Sequence, residues 1–196
     1  MKASWTDLIY TNVADFTTLS SFTAEASLLA GTNQQPVFIG NTVWANAADV
    51  GKVIRIEAEG VLGSTATPTY TFQLRLDDTQ GSSDLTGASI GVSAALTTQN
   101  GVTNQWWRLV LDLTCTVAGQ GANNVTLKCS GSVRSPGGLA APYEYSLAPT
   151  TPPTGTWTAA TINGALSQYL NLSVTCSANS ASNAITCKKL AVSVLN

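Results

Sequence analysis

The chain has 196 residues, 10% of them charged, a formal net charge of −2 and no histidine, so it carries less than half the roughly 25% charge of an ordinary soluble domain. The few lysines and arginines are scattered, which excludes the electrostatic footprint that nucleic acid or an anionic membrane requires. The length suits one all-β domain with a single core. The Ser, Thr, Asn and Gly that stand in for charge fit a surface largely covered by neighbours.

The opening MKASWTDLIYTN has one lysine and no continuous apolar stretch behind it, unlike a secretory signal peptide. No later run approaches the roughly 18–20 apolar residues that span a bilayer, so cytosolic synthesis and no membrane partner are expected. Trp5, Leu8, Ile9, Val13, Phe16 and Leu19 are spaced roughly as one face of a helix, while the threonines between them favour extended chain. Either reading makes residues 1–22 an apolar N-terminal arm, which packs on its own domain or docks on a neighbouring subunit.

Residues 23–196 follow as one β-sandwich. A strand is expected at 23–29, then a turn at 31–35 and a short stretch at 36–39, with Pro36 marking an edge or strand start. KVIRIEAEG turns Ile54, Ile56 and Ala58 inward and Arg55, Glu57 and Glu59 outward. TYTFQLRLD does the same with Tyr70, Phe72, Leu74 and Leu76 on one face, the period-two pattern of a half-buried strand. These two strands are expected to pair. Residues 77–87 read as loop and 88–97 as a strand of small side chains, and Asn100-Gly101 is a hairpin signal.

WWRLVLDLTCTV is the longest predicted strand, with Trp107, Leu109, Leu111, Leu113, Cys115 and Val117 inward. Adjacent Trp106 must face the other way, to cap the sandwich or touch a partner. VTLKCSGSV returns as its hairpin partner. Residues 134–161 form a Pro- and Gly-rich loop too long for a passive connection. LNLSVTC and ITCKKLAVSV are expected to close the chain as a hairpin. The apolar phase slips after Cys187, which predicts a β-bulge near Lys188-Lys189.

If the hairpins are symmetric, Cys115 opposes Cys129 and Cys176 opposes Cys187, close enough for two cross-strand disulfides. Cytosolic synthesis favours buried free thiols instead. The spacings are too wide for structural zinc, and no metal is expected. Asn124-Val125-Thr126 and Asn171-Leu172-Ser173 match the glycosylation sequon and are read as polar turn or strand positions.

Catalysis finds little to work with. Glu57 and Glu59 share an outward face, Asp77, Asp78 and Asp84 sit in a loop without regular calcium spacing, and the serines have neither a histidine nor a Ser-x-x-Lys motif to activate them. No enzyme activity and no cofactor are expected. Tyr143, Tyr145 and Trp157, together with the tryptophan pair, offer a possible stacking platform for sugar rings.

The succession YTNVADFTTLSSFTAEASLLAG, VGKVIRIEAEGVLGSTATPTYTFQLRL, QWWRLVLDLTCTVAGQG and LNLSVTCSANSASNAITCKKLAVSVLN resembles virion structural proteins of tailed bacteriophages, in order and over nearly the whole chain. The resemblance implies a jelly-roll-like or Ig-like antiparallel β-sandwich on a capsid or tail, usually a homo-oligomer, with a trimer favoured, and no catalytic residues. The four cysteines are not part of the pattern. The expected role is a capsid decoration or cement protein in the virion that bridges neighbouring major capsid proteins. Trp5, Leu8, Ile9, Val13, Phe16, Tyr143, Tyr145 and Trp157 are its expected partner-binding residues. The alternatives are a tail or fibre module binding host-surface glycan through Trp157, Tyr143 and Tyr145, and a tail-tube or baseplate component.

Overall fold

The computed structural model describes residues 6–12, 14–31, 37–79, 85–122, 124–141, 144–148 and 160–195. Among them run β1 (Thr6–Thr11), β2 (Leu19–Ser20), β3 (Ala26–Ser27), β4 (Val37–Ile39), β5 (Val53–Ser64), β6 (Thr69–Asp77), β7 (Ala88–Ser93), β8 (Leu96–Thr97), β9 (Val102–Val117), β10 (Val125–Arg134), β11 (Glu144–Ala148), β12 (Ala160–Ile162), β13 (Gln168–Cys176) and β14 (Ala184–Leu195). Two 3-10 turns, Asn41–Val43 and Ala47–Asp49, are the helical pieces of the described residues.

Every strand pairing is antiparallel. The path β1-β14-β5-β9-β10-β11-β7-β6-β13-β3 doubles over at β11, which joins β10 of one layer to β7 of the other. The strict alternation of β5, β6 and β9 causes the doubling. Each presents one apolar row, and two such rows lose their water only by facing each other. Phe72 of β6 meets Trp107 of β9 across the core at 5.4 Å between ring centroids. The Tyr70 hydroxyl, also from β6, donates to the Gly63 carbonyl of β5 at 3.1 Å. The expected all-β antiparallel sandwich is therefore what the chain forms.

Strand partners differ from several expectations. β5 pairs with β14 and β9, whereas β6 pairs with β13, β7 and β8, so these neighbours in sequence lie in opposite layers and not side by side. β13 and β14 are likewise split between layers. The Asn100-Gly101 turn, with Gly101 at φ 65°, leads from β8 on β6 to β9 on β5 and closes no hairpin. Each of these turns carries the chain over the rim of the core.

The same topology corrects the disulfides. Cys176 opposes Tyr70 and Cys187 opposes Gly60, in different layers. β9 and β10 do form a hairpin, but a register shift at Thr126/Leu127 sets Cys115 against Leu127 and Cys129 against Leu113, leaving the two thiols diagonal. All four cysteines are free and buried. Burial pushes the thiols of Cys129 and Cys187 up to about 12 and raises that of Cys115. The nucleophile in alkylation is the thiolate, so the folded chain is expected to resist a maleimide or iodoacetamide at pH 8, whereas denaturation releases all four thiols of the chain. Mass shifts before and after denaturation check this.

The predicted bulge is present. The β14–β5 register shifts between Cys187 and Lys189, and Lys188 and Lys189 are both exposed. Asn12 stitches it in place: its side-chain amide donates to the Lys188 carbonyl at 3.0 Å, and its side-chain oxygen accepts from the Leu190 N–H. Of the two sequons, Asn171 is buried and accepts from Ser27 Oγ at 2.8 Å, so in the folded chain it serves as a structural residue. Asn124 donates to the Gln120 carbonyl across its turn.

Candidate interaction surfaces

The N-terminal residues expected to form an arm are built into the sandwich as an edge. β1 pairs with β14 on one side, with a register shift between Leu8 and Tyr10, and has no strand on its other side among the described residues. Leu8 is 59% exposed, while Ile9 and Tyr10 pack against the core. Phe16 corrects the sequence reading. It is 3% exposed, belongs to the core, and its N–H bonds the Cys187 carbonyl at 3.0 Å. It is a packing residue of this chain and not a contact for another. Trp5 and Val13 lie outside the described residues.

The long loop is partly a strand. β11 lies within it, and Tyr145 stands opposite Val133 of β10; Tyr143 and Trp157 fall outside the described residues. Near the same corner Ser132 Oγ donates to the Glu144 carboxylate at 2.7 Å.

Structure adds an apolar feature that the sequence reading missed. Phe38 of β4 is 47% exposed, and its ring lies 5.6 Å from that of Tyr169; Leu166, just before β13, is also exposed. Val37 and Ile39 are buried, so alternation forces Phe38 outward. The signal exists in the sequence, but a three-residue strand is too short to carry a period. β4 and β1 come into contact where the layer edges meet, so Leu8 and Phe38 stand on neighbouring edge strands.

Charge is concentrated elsewhere, on the outer face of β14, β5 and β9. Arg55 grips Asp112 with two hydrogen bonds of 2.8 and 2.7 Å. Arg108 lies 3.3 Å from Glu57 and 3.4 Å from Glu59, and Lys189 lies 3.7 Å from Glu59. Glu57 and Glu59 thus belong to a self-neutralising ladder of partly exposed pairs, each of modest energetic weight, and not to an acid/base pair. On the second layer Arg75 binds Glu25 through two 2.9 Å hydrogen bonds, and that contact holds the Glu25 carboxyl below its ordinary value. Burial pushes the Asp77 carboxyl up, but hydrogen bonds from Thr79 and Thr86 outweigh that and lower it. Asp77 therefore acts as a turn organiser. Among the described residues no group of three or more His, Cys, Asp or Glu side chains is placed to hold a metal ion, and no helix is long and apolar enough to cross a membrane.

No protein-family model matches the chain, and no curated protein matches it. Among solved structures it is similar to the CBM2 module of Lactobacillus casei BL23 phage J-1 evolved Dit, with 8% sequence identity and a TM-score of 0.35 over 98% of this chain and 97% of that one. A likeness at that level assigns this chain neither a family nor a function.

Proposed function

We propose that this chain is a non-catalytic structural protein of a tailed-bacteriophage virion, acting as a capsid decoration or cement subunit that bridges neighbouring major capsid proteins. The ordered motifs along the sequence support the virion setting. The observation that carries the assembly role is the edge where β1 and β4 meet, with Leu8 and Phe38 both exposed on a chain that is only 10% charged. An unpaired strand edge is a template for another chain, and a large apolar side chain beside it supplies the buried anchor that interfaces rely on. Many such modest contacts repeated over a shell add up through multivalency.

Purified protein added to shells that lack it is expected to saturate a fixed number of sites. Leu8→Asp, at an exposed position, leaves the fold intact but places an unpaired carboxylate in the contact, and is expected to weaken shell binding at least about tenfold. Unchanged affinity of Leu8→Asp, or adsorption to host cells with none to shells, would contradict the proposal.

A further inference from the structure

The outer face of the first layer carries a groove at the end remote from β1. β1 pairs with residues 191–195 of β14, whereas the groove lies over Ala184 and Thr186 at the start of that strand and over the ends of β5 and β9. Its volume of about 460 Å³ falls in the range of small-molecule sites. Val61 and Gly63 are part of its lining, and at Gly63 the missing side chain keeps it open, since a Cβ there would come within 3.3 Å of the Ser182 and Val102 carbonyl oxygens.

Two features give this groove a chemistry. The first is its polar lining. No titratable side chain contributes to it, and Thr65, Thr103, Asn104 and Ser182 are exposed with no side-chain hydrogen bond among the described residues. Asn104 holds a left-handed backbone at φ 51°, which asparagine tolerates, in the bulge where the β5–β9 register shifts between Leu62 and Ser64. The second is Trp106. It stands directly opposite Val61 in the β5–β9 register, so both project from the same face and their Cβ atoms are close neighbours. The indole is 41% exposed, and the Arg134 guanidinium sits 5.6 Å from its ring centroid. Arg134 comes from β10 and Val61 from β5, on opposite sides of β9. The cation thus comes from the strand on one side of Trp106, and Val61, which lines the groove, from the strand on the other; Trp106 stands at the groove's margin and is not part of its lining.

An exposed, fixed indole beside uncommitted hydroxyls and an amide, with no charge in the lining, suits a ligand that has apolar C–H faces and many hydroxyls. We propose that this groove binds a neutral saccharide, with one sugar ring against Trp106 and its hydroxyls bonded to Thr103, Asn104 and Ser182. A single-stranded nucleic acid would also stack on the indole, but it needs cations along its phosphates, and the groove lining supplies none. Of the charges on the same face, Glu59, Arg108 and Lys189 are already paired with one another, and Arg134 beside the indole is a single cation, short of the row of cations that a phosphate backbone needs.

The test is a panel of neutral oligosaccharides built from glucose, galactose, rhamnose and N-acetylglucosamine, titrated against the full chain by tryptophan fluorescence and ligand-observed NMR. At least one is expected to bind the wild-type protein. Trp106→Ala and Thr103→Arg, both at exposed positions, are expected to weaken that binding about tenfold or more, while Trp106→Phe retains most of it and Leu8→Asp all of it. Thermal melts confirm that each variant is folded. No binding by any oligosaccharide of the panel, or equal binding by folded Trp106→Ala, overturns the proposal. Loss of shell binding by Leu8→Asp with saccharide binding intact separates this site from the assembly edge.

Discussion

Trp107→Ala is expected to lower the unfolding free energy by about 3–5 kcal/mol, the range for emptying a buried aromatic site. Trp107 is fully buried and is the side chain of β9 that meets Phe72 of the opposite layer. Its indole N–H also donates to the Val61 carbonyl at 3.3 Å. Truncation therefore opens a cavity at the layer junction and leaves that carbonyl without this donor. A domain of this kind holds only about 5–15 kcal/mol in total, so the variant would approach the limit of folding at 37 °C. Urea denaturation checks it: the midpoint should fall while the slope is unchanged. Trp107→Phe, which keeps the ring contact and loses only the N–H and part of the volume, should fall in between.

Gly60→Ala is the second large effect. Gly60 pairs with Cys187 at the start of the β14 bulge, where the partner backbone presses inward. An added Cβ would lie 1.9 Å from the Thr186 carbonyl oxygen and 3.0 Å from the Trp107 ring. The obstacle is backbone, which cannot rotate aside, so β5 and β14 must separate locally. The loss is expected at or above the upper end of the roughly 1–3 kcal/mol typical of overpacked sites. A thermal melt of the purified variant measures it; a midpoint equal to wild type would mean that the bulge yields freely and that Asn12 does not hold it. In contrast, Gly101→Ala meets no atom within 4 Å and is limited to the cost of its left-handed backbone.

The alternation that exposed β5, β6, β9, β13 and β14 in the sequence is a local property, since the side chains of a strand report which face is buried. It says nothing of which strand lies alongside. That is why Trp107 and Phe72 were legible as core, and the bulge at Lys188 as a phase slip, while the partners of β5, β6, β13 and β14 were not. A turn such as Asn100-Gly101 reverses the chain equally well within a layer or across the core. The Cys176–Cys187 pairing failed for the same reason, because it assumed a hairpin, whereas the Cys115–Cys129 pairing failed on the register shift inside a hairpin that does form. The short strands were harder to read: the stretch at 36–39 was legible as an edge or strand start, but not that β4 turns Phe38 outward between Val37 and Ile39, and β11 escaped inside a loop whose composition signals irregular chain.

The candidate surfaces were legible in part. Leu8 reads as an apolar residue near the start and is indeed exposed on an edge strand. Phe16 reads the same way, and only the fold shows that it turns into the core beneath the Cys187 carbonyl. Removing residues 1–22 would take away Phe16 and uncover the β14 edge together, so such a deletion would unfold the sandwich as well as remove the contact. A point change at Leu8 separates the two effects.

Amide hydrogen exchange on the protein free and bound to shells tests the assembly edge most directly. Residues 6–11 and 37–39 are predicted to become markedly slower to exchange when the protein is seated on the particle, with the β5–β9 face around Trp106 unchanged. Unaltered exchange along β1 and β4, with protection appearing only around Trp106, would contradict an edge-mediated attachment.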